Sequence, residues 1–131
     1  MSRYHYLIAS LLVIISVCGI STAYDYGVAS VNFYNVKNII EKWHDDPLDS
    51  DLKDYQVAKN NSLVANKYHP DNALYLDLVA QVDELGFIFE FENRIEGLNS
   101  AKEYYLQATH LRPLWPVTWA SLAKVKWRLQ E

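Results

Sequence analysis

The stretch AKEYYLQATHLRPLWPVTWASLA (residues 101–123) predicts two helices joined by a proline turn. Ser100 and Glu103 have the spacing of a capping box, which predicts that the first helix begins just after Ser100. Pro113 cannot continue that helix, because it lacks an amide hydrogen and clashes with the preceding turn. Pro116 instead suits the first position of a second helix, which is predicted to run to the C-terminus.

An earlier segment repeats this pattern. Residues 58–85 align with residues 101–128 without a gap and share seven identical positions. The shared alanines fall where neighbouring helices must approach each other closely, and the shared proline falls between the helices. The pairs are Ala58 with Ala101, Lys59 with Lys102, Leu63 with Leu106, Ala65 with Ala108, Pro70 with Pro113, Ala80 with Ala123, and Val82 with Val125.

The second copy resembles a tetratricopeptide repeat. That family has small and aromatic residues in one helix, a proline in the turn, and a tryptophan, a leucine and a small residue in the next helix. These places are filled here by Ala101, Tyr105, Ala108, Pro113, Trp119, Leu122 and Ala123. The first copy keeps the spacing without the aromatics, with Ala58, Ala65, Pro70 and Ala80. The resemblance implies that the alanines and prolines shape helix hairpins and that Tyr105 and Trp119 fill the space between helices.

The sequence therefore predicts an all-α fold. Apolar residues at steps of three and four, together with proline turns and capping residues, indicate further helices. The predicted helices cover residues 28–43, 52–68, from 72 onward, 101–112, and from 116 onward. A break or bend is expected near Gly27, and residues 86–93 (GFIFEFEN) are expected to continue the third helix, although their alternating phenylalanines also suit a strand. The resemblance implies that about five antiparallel helices form a tetratricopeptide-like stack.

An uncharged apolar run, LIASLLVIISVCGISTA (residues 7–23), precedes these helices. As a helix from Tyr6 to Tyr24 it would rise about 27 Å, close to the hydrocarbon thickness of a bilayer. With Arg3 before the run and Asp25 after it, the N-terminus is predicted to stay in the cytoplasm. Tyrosines stand at both ends, as in the interfacial belts of membrane proteins, at Tyr4, Tyr6, Tyr24 and Tyr26.

The predicted organisation is a membrane anchor or signal segment (1–26) and a tetratricopeptide-like helical domain (27–131). The small residues before Tyr24 leave open the alternative of a signal peptide cleaved after Ala23. The predicted location is the bacterial inner membrane, with a single pass and the domain in the periplasm, or the periplasm alone if the segment is cleaved. The only cysteine, Cys18, lies inside the apolar run, so no internal disulfide is expected.

Composition narrows the class of partner. The chain has 16 acidic and 12 basic residues, for a formal net charge of −4 at pH 7, which argues against a nucleic-acid-binding protein. Half of the residues are apolar and 14% are aromatic, which indicates a folded chain rather than a disordered one. We therefore expect a folded domain whose partner is not a nucleic acid.

No catalytic, metal-binding or cofactor-binding site is predicted. The run of His44, Asp45 and Asp46 has suitable residue types, but adjacent side chains point apart and no second cluster has ligand spacing. Glu90 and Glu92 do not face each other in a helix, because they are two residues apart. The expected role is therefore binding, without a cofactor.

Aromatic side chains are the candidates for partner binding. Trp115 lies between two prolines and close to Arg112, and Trp and Arg are common anchors of interfaces. Such a pair can also stack on a sugar ring. Burial of Phe87 and Phe91 together with Phe89 is not expected. The candidate partner-binding residues are therefore Arg112, Trp115, Phe87 and Phe91.

The string LRPLWPVTWASLAKVKW (residues 111–127) resembles the small membrane-attached proteins of bacterial exopolysaccharide systems, the VpsP type. The size of the chain and its single apolar N-terminal run fit the same resemblance. It implies a non-catalytic adaptor that contacts another protein of a polysaccharide biosynthesis or export machinery. Two alternatives stay open: a glycan-binding or polysaccharide-modifying protein, and a tetratricopeptide-like adaptor of another envelope complex.

Overall fold

Helices account for nearly all of residues 3–130, which this computed structural model describes apart from the side chains at positions 3 and 94. A 3-10 turn, Pro47–Asp49, lies between the first two helices. The described part of the chain contains no strand, so the predicted all-α fold with a long apolar N-terminal helix is confirmed. The helices are α1 (Arg3–Asp45), α2 (Leu52–Tyr68), α3 (Ala73–Ile88), α4 (Arg94–Leu111) and α5 (Pro116–Leu129).

The first helix unites two segments that the sequence predicts separately. α1 contains both the apolar run and the first predicted helix of the domain, so the predicted boundary between residues 26 and 27 falls inside it. The expected break near Gly27 is not found, because α1 continues through this residue. A glycine inside a helix costs about 1 kcal/mol, which the buried side chains that follow it in α1 outweigh.

Those buried side chains define one face of the second part of α1. Ala29, Val36, Ile40 and Trp43 are buried, and their steps of seven, four and three place them on one side of a helix. Residues 7–23, in contrast, are all exposed. α1 therefore has one part that packs into the domain and one part that projects from it.

The five helices pack in the order of the chain, as in a helical repeat. Each antiparallel helix lies mainly against its neighbours in sequence, and α1 also contacts α3. The Thr118 hydroxyl of α5 donates to Asp77 of α3, which places α5 beside α3 as well. Because neighbouring helices alternate in direction, α1, α3 and α5 run the same way and lie side by side.

Four clusters of buried hydrophobic residues include side chains of α3, the central helix, and the two larger ones span three helices each. The first core cluster joins α1, α2 and α3 through Val36, Ile40, Trp43, Tyr55, Ala58, Leu78 and Val82. The second core cluster joins α3, α4 and α5 through Ala80, Leu98, Ala101, Tyr105, Leu122 and Val125. α3 can serve both clusters because most of its residues are buried.

The end of α3 differs from the prediction. The helix stops at Ile88 instead of continuing through residues 86–93, and Glu90 adopts a φ of 60° in the turn that follows. Just before this end, Gly86 meets the ring of Tyr55: a Cβ at Gly86 would lie 2.6 Å from the Tyr55 hydroxyl oxygen. Only a glycine allows this close approach between α2 and α3.

The start of α4 also differs from the prediction. The helix begins at Arg94 rather than after Ser100, because the Asn93 side chain caps it by accepting a hydrogen bond from the Ile95 amide at 3.1 Å. Ser100 therefore lies inside α4. Its hydroxyl donates to Asp83 of α3 instead of capping a helix.

The repeat positions occupy both buried and exposed places. The prediction that Trp119 and Ala123 pack between helices is wrong, because both residues are exposed, Trp119 at 47%. α5 turns Thr118, Leu122 and Val125 inward, and in residues 3–130 no later helix covers its other side. Pro70 and Pro113 lie in exposed turns. The buried repeat positions are Ala58, Ala65, Ala80, Ala101, Tyr105, Ala108 and Leu122.

Candidate functional site

An open groove runs along the side of the domain formed by α1, α3 and α5. Its volume is about 250 Å³, which is below the usual size of a cofactor pocket. Both apolar and polar side chains line it, so it can receive a peptide segment more readily than a large rigid ligand. Its lining includes Phe33 and Lys37 from α1, Leu78 and Gln81 from α3, and Val117 and Ser121 from α5. We call it the odd-helix groove.

Asp77 of α3 forms part of the groove wall and clamps the α4–α5 turn. The Thr118 hydroxyl donates to both of its carboxylate oxygens, at 2.9 and 2.8 Å, and the Arg112 guanidinium lies 3.1 Å from one of them. Burial raises the pKa of Asp77, and the bonds from Thr118 and Arg112 offset part of that rise. Asp77 therefore holds the residues on both sides of the turn to the central helix.

Trp115 lies at the end of the groove nearest this turn. Its side chain is 46% exposed, and the Arg112 guanidinium carbon lies 5.0 Å from the centre of its ring, a cation–π contact. Trp119 is also fixed, because its indole N–H donates to the Pro113 carbonyl at 2.8 Å. Arg112 therefore binds Asp77 and Trp115 within the chain, while nearly half of the Trp115 surface stays exposed.

A second carboxylate of α3, Glu84, ties the central helix to α4 and α5. Its carboxylate lies 2.6 Å from the guanidinium of Arg128 and 2.7 Å from the ammonium of Lys124. The Tyr105 hydroxyl donates to it at 3.3 Å. Burial, reinforced by the charge of Glu84, raises the pKa of Tyr105, so the phenol stays protonated. This cluster is structural, because its members bind one another.

The third carboxylate, Asp83, is fully buried between α2 and α4. It accepts hydrogen bonds from Lys59 of α2 and Ser100 of α4, and Lys59 also lies 3.4 Å from Glu92. Burial raises the pKa of Asp83. Burial lowers the pKa of Lys59, but the hydrogen bonds and charges of Asp83 and Glu92 together raise it by more, so the ammonium stays charged. Asp83 therefore joins three helices at one point.

The four predicted partner-binding residues do not form one site. Arg112 and Trp115 lie at the α4–α5 turn, whereas Phe87 and Phe91 lie at and after the end of α3. Phe87 is half-buried, with the Arg128 guanidinium carbon 5.4 Å from its ring centre. Phe91 packs on the first core cluster, 5.5 Å from the ring of Tyr55. The groove brings Trp115 together with residues of α1 and α3 instead.

Sequence reasoning missed the three carboxylates of α3 and the α1 side of the groove. Asp77, Asp83 and Glu84 interrupt an otherwise apolar helix, and that interruption is the signal that marks them as partners of other helices. Phe33 and Lys37 have no such signal, because an aromatic and a lysine on a helix face are common. Their place in the groove follows only from the packing of α1 on α3.

The residues considered for chemistry lie elsewhere. Within the described residues, no group of three or more His, Cys, Asp and Glu side chains is arranged to hold a metal ion. His44, Asp45 and Asp46 are exposed at the end of α1, and Asp46 accepts a hydrogen bond from the Leu48 amide at 3.0 Å. That bond caps the 3-10 turn, which accounts for Asp46.

The N-terminal part of α1 is the second functional feature. Among the described residues, one helix is long and apolar enough to cross a membrane, by length and composition. Comparison with family models, with curated proteins and with solved structures gives no match to this chain. The odd-helix groove and the projecting apolar helix are therefore the features on which a functional proposal can stand.

Proposed function

We propose that this chain is a non-catalytic, membrane-anchored adaptor of a bacterial exopolysaccharide machinery, and that the odd-helix groove holds a segment of a partner protein. The observation that carries the proposal is the groove itself, a mixed apolar and polar channel formed by three parallel helices. The likeness of residues 111–127 to exopolysaccharide proteins supports the choice of machinery. Residues 7–23 anchor the chain in the inner membrane, with the domain in the periplasm.

The composition of the groove favours a peptide partner. Phe33, Leu74 and Val117 offer apolar contact area, and Gln81 and Ser121 can bond the backbone of a bound segment. The exposed face of Trp115 provides an aromatic anchor of the kind that dominates interface energies. A partner segment with apolar residues at helical spacing fits these features.

Site-specific photo-crosslinking in native membranes tests the adaptor role. A photoreactive amino acid in place of Gln81, which is exposed in the groove, should capture a protein that polysaccharide export requires, identified by mass spectrometry. Gln56 is the matched control, because it is an exposed glutamine on α2 outside the groove lining. Identical products from both positions, or no product from Gln81, would contradict the proposal.

Deleting the gene tests the choice of machinery. Secreted exopolysaccharide should fall under conditions that induce its production, and a plasmid copy of the full chain should restore it. Unchanged polysaccharide would reject the pathway. In that case a crosslink from Gln81 to a protein of a different envelope complex would identify the chain as an adaptor of that complex.

The second candidate function is binding of the polysaccharide itself, which the exposed ring of Trp115 favours. Titration of the full chain in detergent with polymer fragments should then change tryptophan fluorescence, and Trp115→Phe should abolish the change. The adaptor proposal expects no response to the fragments.

A further inference from the structure

The turn between α2 and α3 lies beside the point where the apolar run of α1 ends. The ring of Tyr26 lies 4.0 Å from the ring of His69, and the ring of Tyr24 lies 6.5 Å from that of Tyr68. Tyr26 comes three residues after Ala23, a rise of about 4.5 Å along a helix. This turn therefore stands directly above the end of the apolar segment.

The turn between α4 and α5 lies at the same end of the domain. Tyr26, Leu111 and Arg112 line one cavity of about 480 Å³ together with residues of the α2–α3 turn, His69 to Ala73. The alternating direction of the helices explains this, because α2 and α4 both end here and α3 and α5 both begin here. Both turns therefore face the side from which residues 7–23 project.

The α4–α5 turn carries apolar side chains that the domain leaves uncovered. Leu114 is 94% exposed, Trp115 is 46% exposed and Leu111 is 44% exposed. Prolines at positions 113 and 116 restrict the backbone of the turn, and the Asp77 clamp holds both of its sides. The fold therefore presents these side chains in a fixed place, which is a costly arrangement in water unless another surface covers them.

We propose that this surface is the lipid bilayer: the α4–α5 turn, residues 111–116, docks into the interfacial layer of the membrane from which α1 emerges. The inference rests on the membrane anchor of the proposed function. Leu111 and Leu114 supply the apolar contact, and Trp115 is of the residue type that sits at the boundary between headgroups and acyl chains. The patch is continuous with the membrane segment through Tyr26 and the shared cavity.

Docking sets the orientation of the adaptor. With α1 as one attachment and the α4–α5 turn as a second, the domain cannot swing freely about the end of the membrane segment. The odd-helix groove, which has Trp115 at its turn end, then opens immediately above the lipid surface. A partner segment in the groove approaches from close to the bilayer, as the juxtamembrane part of another membrane protein does.

Quenching of tryptophan fluorescence by brominated lipid tests the docking. The full chain is reconstituted into phosphatidylcholine and phosphatidylglycerol vesicles in which the phosphatidylcholine is brominated on its acyl chains near the headgroup. All measurements use a Trp119→Phe background, because Trp119 is 47% exposed and its indole bonds to Pro113 of the same turn. In that background Trp115→Phe should remove most of the lipid-dependent quenching. Trp127→Phe is the matched control and should leave the quenching unchanged, because Trp127 is 77% exposed but lies near the opposite end of α5.

A second variant tests the apolar contact while keeping the reporter. Leu114→Ser alters a side chain that packs on almost nothing in the domain, so helix content should stay constant while the quenching of Trp115 falls. Three results would each overturn the docking. The first is equal quenching with and without Trp115→Phe, the second is quenching of Trp127 as strong as that of Trp115, and the third is no effect of Leu114→Ser.

Flotation of the same vesicles after an alkaline wash distinguishes failure of the docking from failure of the membrane anchor. If the chain floats but Trp115 is not quenched, the membrane anchor stands and the docking of the α4–α5 turn is rejected. A chain that does not float has no membrane anchor, which rejects the anchored adaptor and this docking with it.

Discussion

The first and second core clusters both pack on α3, but different interactions hold them there. The first cluster is rich in large rings: that of Trp43 lies 5.6 Å from Phe89, and that of Tyr55 lies 5.5 Å from Phe91. The second cluster contains smaller residues such as Ala101, supplemented by ion pairs from the carboxylates of α3. The first contact thus combines apolar burial with one buried ion pair, Lys59 with Asp83, whereas in the second contact both Asp77 and Glu84 bond to α5.

This difference shows what the repeated spacing specifies and what it leaves open. Both copies have alanines and a proline at equal intervals, and both form a helix hairpin. The spacing fixes close approach and the position of the turn, but it does not fix how each hairpin packs on the rest of the domain. That packing also depends on residues outside the repeated positions, such as Trp43 and Asp77, and a mutation in each half should therefore have a different signature.

Trp43→Ala should have the largest effect, because it removes the largest buried side chain of the first cluster. A fully buried tryptophan replaced by alanine costs about 3 to 5 kcal/mol in lost contacts and cavity formation. The free energy of unfolding of the full chain in detergent, measured with urea and circular dichroism, should fall by that amount. Trp127→Ala, at an exposed position, should change it by less than about 0.5 kcal/mol. Equal losses from the two variants would contradict the assigned core.

Asp77→Ala should have the next largest effect, in the second half of the molecule. Thr118 and Arg112 lose a shared acceptor, and leaving such groups without a partner costs about 2 kcal/mol. Hydrogen exchange should show the loss as faster exchange in α5 than in α1, by roughly thirtyfold if α5 opens independently. Asp71→Ala, an exposed carboxylate in the α2–α3 turn, is the control. Uniform acceleration across all helices would show that the clamp does not act locally.

The sequence predicts the helix hairpins better than the contacts between the hairpins, for a physical reason. Proline turns and apolar periodicity are local, so Pro70 and Pro113 mark their turns without reference to the rest of the chain. The partners of the α3 carboxylates lie far away in sequence: Lys59 is 24 positions from Asp83, and Arg128 is 44 positions from Glu84. No local pattern joins such pairs, so their bonds appear only when the helices are packed.

The candidate site shows the same limit. Trp115 was predictable from its place between two prolines, but the groove that includes it needs Phe33, which comes from a helix more than eighty residues earlier. The prediction of where α4 begins was wrong for a related reason. Two capping signals compete there, Asn93 and Ser100, and the tertiary bond of Ser100 to Asp83 leaves the cap to Asn93.

Gly86→Ala tests how tightly α2 approaches α3 in the first half. The added methyl group would lie 2.6 to 2.8 Å from three atoms of the buried Tyr55 side chain, so that side chain or the helix must move. Overpacking of this kind costs about 1 to 3 kcal/mol, and the higher helix propensity of alanine returns about 1 kcal/mol, so a net loss near 1 kcal/mol is expected. Gly27→Ala meets nothing within 4 Å and should be neutral or stabilising. Stabilisation by both substitutions would show that the two helices are not in close contact.

Asp83→Asn keeps an oxygen that can accept from Lys59 and Ser100, and its effect should appear mainly as a distinct dependence on pH. Burial raises the pKa of Asp83 above that of the unfolded chain, so the folded state binds the proton more tightly. Above the pKa of Asp83 in the folded chain, the charged carboxylate therefore lowers the free energy of unfolding. This loss of stability disappears as the pH falls through the folded pKa towards 3.8, the ordinary value. The free energy of unfolding of the chain should accordingly rise on acidification relative to that of Asp83→Asn, which cannot titrate there. Urea unfolding at a series of pH values measures this difference, with Asp71→Asn as an exposed control. A difference that shrinks on acidification would mean that the bonds from Lys59 and Ser100 outweigh burial, and Asp83 would then be a net favourable ion in the centre of the domain.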